Sequence, residues 1–70
     1  MMPLSMIKAG GCNSIKKVGG MAETRQFLEN LGFVPGSAVT VITEISGNVI
    51  VSIKESRVAI SREMAGKIWV

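Results

Sequence analysis

Seventy residues make one domain at most, and with 47% hydrophobic residues, mostly Val, Ile, Leu, Met and Ala, the chain can fill one core. The net charge is +3, with eight basic residues spread among five glutamates, so a mixed, solvated surface is expected, and a weak anionic partner is allowed but not demanded. The single cysteine, Cys12, excludes an internal disulfide and fits a reducing, cytoplasmic setting, and no stretch approaches the length of a membrane span.

Leu4 to Ala9 reads as a short strand running into a loop. Ala9-Gly10-Gly11-Cys12 resembles a lipoprotein cleavage site, but no Lys or Arg precedes Leu4, and Ser5 and Lys8 break the apolar run that a signal peptide needs. Ser14 to Val18, between two glycine pairs, reads as a strand whose imperfect alternation predicts a bulge or bend. Ala22 to Leu31 is the only substantial helix, with Thr24, Phe27, Leu28 and Leu31 on one apolar stripe. Gly32 stands where a left-handed residue ends a helix, Phe33 is placed to pack back on Leu28, and Val34-Pro35-Gly36-Ser37 has the residues of a type II turn.

Three alternating runs follow. Val39 to Ile45 places Val39, Val41 and Ile45 inward with Thr43, and Ser46-Gly47-Asn48 turns the chain. Val49 to Lys54 places Val49, Val51 and Ile53 inward; Glu55-Ser56 leads into Arg57 to Ile60, with Val58 and Ile60 inward. Ser61 to Gly66 reads as one helical turn capped by Ser61, and Ile68 to Val70 as a final strand that closes a sheet. The fold class is therefore mostly β, one domain over 1–70. It is a small closed or half-closed barrel of five to six strands, with one inserted α-helix and a helical turn before the last strand.

The chemistry is bounded by absence. The chain has no His, Asp or Tyr, so neither a Ser-His-Asp nor a Cys-His arrangement can be built, and no enzyme is expected. Nothing in the sequence places a Lys or a helix N-terminus beside Cys12, which reads as a buried or half-buried inert thiol. One cysteine and five scattered glutamates do not make an all-protein metal site, which leaves only a site shared between chains. No cofactor is expected either, because neither Gly10-Gly11 nor Gly19-Gly20 fits a phosphate-binding or dinucleotide fingerprint. Of the three aromatics, Phe27 and Phe33 are assigned to packing. Trp69, opposite in face to Ile68 and Val70, is assigned to closing the barrel ahead of a role in stacking.

Taken together, the motifs resemble the FeoA family. Phe27-Leu28-Glu29-Asn30-Leu31-Gly32-Phe33-Val34-Pro35-Gly36 matches its helix ending in Leu-x-x-Leu-Gly before Pro-Gly, and Val39-Thr40-Val41 its following strand. Ile60, Arg62, Ala65, Ile68 and Val70 match its closing signature, and Leu4, Ile7, Gly10 and Ile15 its opening strands. The Thr43 to Val49 hairpin departs by being short, without the Pro and Gly-Asp frequent there. The resemblance implies an SH3-like β-barrel and a small cytoplasmic accessory of ferrous iron uptake. Its implied partner is FeoB, a membrane transporter with a GTP-binding domain, and the metal would be carried by that partner.

For such an adaptor the contact surface is placed around the helix and its exit, at Met21, Arg25, Asn30, Phe33, Val34 and Pro35. Pairing of the terminal strand between chains leaves room for a homo-oligomer. The alternative is a regulatory or RNA-binding SH3-like module related to the C-terminal domains of DtxR-type metal-dependent repressors. That reading requires Lys16, Lys17, Lys54 and Arg57 to converge on one face. DNA recognition is not expected, since no reading helix is present.

Overall fold

The computed structural model describes all residues from Met1 to Val70. Leu4–Met6 is a 3-10 turn rather than the strand expected there. Met6 N–H donates to the Pro3 carbonyl at 2.9 Å, which winds the chain so that Leu4 enters the core while Met6 stays outside. The expected Ser14–Val18 strand is two strands, β1 (Cys12–Ser14) and β2 (Lys17–Val18), and the predicted bend lies between them. At the bend Ile15 is buried. Its N–H donates to the Ser37 carbonyl, whereas Lys16 N–H donates to the Trp69 carbonyl, so the chain changes sheets within one residue.

Helix α1 (Ala22–Asn30) buries Leu28 completely, with Thr24 and Leu31 partly covered beside it. Phe27, expected on the same stripe, is 48% exposed. One residue is 100° of helix, and Phe27 falls on the flank where the core has ended. The helix exit is as expected. Phe33 N–H reaches the Leu28 carbonyl at 3.0 Å and Gly32 N–H the Glu29 carbonyl at 2.9 Å, the paired bonds of a Schellman ending, with Gly32 at φ +105°. Ser37 N–H then donates to Val34 carbonyl at 3.1 Å with Gly36 at φ +91°, which closes the type II turn.

The meander comprises β3 (Ala38–Ile45), β4 (Asn48–Ile53) and β5 (Ser56–Ser61). Both hairpins close with two-residue turns, Ser46-Gly47 and Lys54-Glu55, each with positive φ at both positions as a type I′ turn requires. The second turn thus lies one residue earlier than the expected Glu55-Ser56. Between Val41 and Thr43 the β3–β4 register slips by one residue. This bulge reverses the alternation beyond it, so Ile45, expected inside, is 58% exposed. Glu44 correspondingly swings to the other face, where it meets Arg62 at 2.9 Å.

Ser61 caps α2 (Arg62–Ala65) by accepting a bond from Met64 N–H at 3.1 Å. β6 (Ile68–Trp69) follows and pairs with β2, and Val70 exchanges two backbone bonds of 2.9 Å with Met2. The two sheets are β1-β3-β4-β5 and β2-β6, all antiparallel. No ladder joins them into a closed ring, so the barrel is half-closed and is sealed by side chains. The core runs between the sheets from Leu4 and Ile15 through Leu28 and Phe33 to the meander valines, Ile60, Ile68 and Val70.

Candidate functional site

No three of the glutamates and Cys12 come together as a metal-binding group, and no polar or charged side chain is buried. Cys12, expected to be buried or half-buried, is exposed, because β1 pairs only with β3 and turns this side chain outward. The exposed side chains around the helix and its exit are the remaining candidate site.

The residues assigned to the helix and its exit divide. Met21 precedes α1 and is 81% exposed, and Arg25 lies one turn on, its N–H donating to the Met21 carbonyl at 2.9 Å. These two share one flank of the helix. Asn30 is exposed on a different side, about 140° around from Arg25 at 3.6 residues per turn, and its Oδ1 accepts a 3.0 Å bond from Gln26 Nε2. Pro35 is exposed at the tip of the exit turn and Val34 is partly covered.

Phe33 must be removed from the contact set, because it is fully buried. The Schellman ending that positions its N–H also brings its ring into the core cluster. Sequence reasoning missed Phe27, whose exposure puts an aromatic on the opposite flank from Met21. The signal was its place at the edge of the apolar stripe.

A second feature was not foreseen. An open groove of about 330 Å³ runs between the Ser5–Ala9 segment and β3, with Ile7 and Val41 as apolar floor and Lys8 and Glu44 at its rim. It depends on the 3-10 turn and the β3 bulge, neither of which the sequence pattern revealed. The four basic residues required for RNA binding are divided: Lys16 and Lys17 adjoin the two-stranded sheet, and Lys54 and Arg57 flank the β4–β5 hairpin.

The fold is that of a small SH3-like β domain. The FeoA domain family model matches residues 2–70, and the chain belongs to the FeoA family. A Methanocaldococcus jannaschii protein, provisionally named Fe(2+) transport protein A, is 39% identical over all 70 residues, 85% of its own length. The crystal structure of an iron uptake regulatory protein, FeoA, superposes with a TM-score of 0.88 at 28% identity, covering 96% of this chain and 91% of that one. Two more distant structures share the fold. One is a Stenotrophomonas maltophilia FeoA complexed with zinc and described as a prokaryotic SH3 domain protein, with a TM-score of 0.84 at 20% identity over 97% of this chain and 87% of that one. The other is a manganese-dependent transcriptional repressor, with a TM-score of 0.88 at 20% identity, of which the match takes 39% against 97% of this chain.

Proposed function

We propose that this chain is a non-enzymatic cytoplasmic accessory of ferrous iron uptake that acts by docking on a FeoB-type transporter. The observation that carries the reading is the surface left by α1 and its exit. Met21 and Phe27 remain exposed on the two flanks of a nine-residue helix, and Pro35 stands on a rigid turn beyond it. Exposed apolar side chains rimmed by Arg25, Asn30 and Gln26 suit a protein partner of mixed character. The backbone bonds of the Schellman ending and the type II turn order the Val34–Pro35 part of that surface, which lowers the ordering cost of binding there. The transported metal would remain with the partner, because this chain gathers no ligand set of its own.

Calorimetric titration of the chain into the cytoplasmic GTP-binding domain of a cognate FeoB, with and without a GTP analogue, tests the reading. Saturable binding is expected, weakened at least about tenfold by Arg25→Glu or Val34→Asp, as loss of a contact worth ~1.4 kcal/mol would give. Unchanged binding by both variants, with both folded, removes the surface. No binding in either nucleotide state, with the transporter domain shown folded, removes that domain as the target.

A further inference from the structure

We propose that the outer face of the β2–β6 sheet docks on an anionic lipid bilayer. This does not depend on which protein the helix exit contacts. Three segments meet on the face, β2, β6 and the Met2–Pro3 segment. Lys17 lies directly across from Trp69 in the β2–β6 pairing, and Pro3 bridges to Trp69 from the other side. Directly paired residues share a sheet face. The neighbouring pair, Val18 and Ile68, faces the core, with Ile68 fully buried, so the Lys17–Trp69–Pro3 row faces out.

Lys67 extends the row towards the helix. Its stem runs across Gly20, where a β-carbon would stand 2.9 Å from the Lys67 Cδ. Gly20 adjoins Met21, which stands at the start of α1 and is 81% exposed. At the other margin Met2, held to Val70 by two backbone bonds, is 44% exposed. The surface combines two long ammonium side chains, a part-exposed indole and two thioethers, and no glutamate lies in β2, β6 or the Met2–Pro3 segment.

This combination selects among anionic partners. A single-stranded nucleic acid calls for successive aromatic platforms, and only one aromatic is present on this face. Paired recognition of an acidic protein segment calls for hydrogen-bonding side chains, and here they are only the two ammonium groups and the indole N–H. Indole and lysine settle together at the headgroup level of a bilayer, the indole half in the apolar layer and the ammonium groups on lipid phosphates. The methionines supply flexible apolar bulk for shallow insertion.

Trp69 is the sole tryptophan and the chain has no tyrosine, so its emission reports the face directly. The test titrates the full chain with phosphatidylcholine vesicles, with and without phosphatidylglycerol, reading emission and co-sedimentation. A blue shift with co-sedimentation is expected only on anionic vesicles, reversed by high salt. Lys17→Glu with Lys67→Glu is expected to reduce partitioning at least about tenfold. Lys8→Glu with Arg57→Glu carries the same net charge elsewhere and is expected to stay within about threefold of the parent. Should the first pair fail to fold by circular dichroism, Lys17→Gln is read in its place and is expected to weaken partitioning several-fold. No shift on anionic vesicles overturns the proposal. So does an equal loss in both double variants, or a response to a single-stranded oligonucleotide without one to vesicles.

Discussion

Single residues decide whether a side chain builds the core or presents a surface, and the two phenylalanines show how finely. Phe33 is fully buried and Phe27 half exposed, although both adjoin the same helix end. Phe33→Ala is expected to cost about 3–5 kcal/mol, most of the ~4–10 kcal/mol that a domain of this size has. Phe27→Ala is expected to cost less than about 1 kcal/mol. Urea denaturation of both variants checks the pair, and equal losses would place the two rings in equivalent surroundings. The difference was only partly legible. The Leu-Gly-Phe ending announced that Phe33 turns back towards Leu28, but nothing local says how far the apolar stripe extends around the helix, because its width is set by what packs against it.

Backbone strain is also a residue-scale matter. Lys54 and Glu55 both hold left-handed φ, +47° and +64°, where neither side chain is at ease. Asn-Gly is the usual solution for such a turn. Glu55→Gly is therefore expected to raise stability by about 1 kcal/mol, read as a higher urea midpoint with an unchanged slope. Lys54 is less free to change. Its stem lies against Gly32, where an added β-carbon would stand 3.3 Å from the Lys54 Cδ, so the hairpin and the helix exit are in contact through it.

At the scale of elements, local signals succeeded where the chain speaks to itself within a few residues. The helix, its exit, the type II turn and the capped turn after β5 all depend on neighbours in sequence, and all are present. Ser61→Ala is expected to cost about 1 kcal/mol, because the Met64 N–H would lose its cap in a helix of only four residues. Thermal denaturation would register this as a fall of several degrees for a domain of this size.

The closing strand β6 was legible, but other features defined by distant partners were not. The bulge in β3 exists because two residues of β3 face one of β4, and it alone turns Ile45 outward against the alternation. The 3-10 turn at Leu4–Met6 packs on α2, some sixty residues away in sequence, as contacts between the two elements attest. The same non-locality hid the Lys17–Trp69–Pro3 row, assembled from three segments that the sequence keeps far apart.

Over the whole molecule, stability depends on how the two sheets are held around one core without a closed ladder. β6 lies at the centre of that arrangement. It pairs with β2 on one side, and on the other the Met2–Pro3 segment pairs along Trp69 and Val70, so the beginning and end of the chain hold one another. Ile68 and Val70 are both buried and complete the core from the side opposite the meander. Removing residues 68–70 would expose the inner face of β2, strand the backbone groups of Lys16 and Met2, and open the core beside Ala65. The truncated chain is expected to lose cooperative unfolding altogether, since two buried aliphatics at about 2–5 kcal/mol each match the stability available. Removing Met1 alone, exposed and outside the core, is expected to change the midpoint by less than about 0.5 kcal/mol. Circular dichroism on thermal melting separates the two cases. A cooperative transition in the chain ending at Lys67 would mean that the four-stranded sheet folds without its smaller partner.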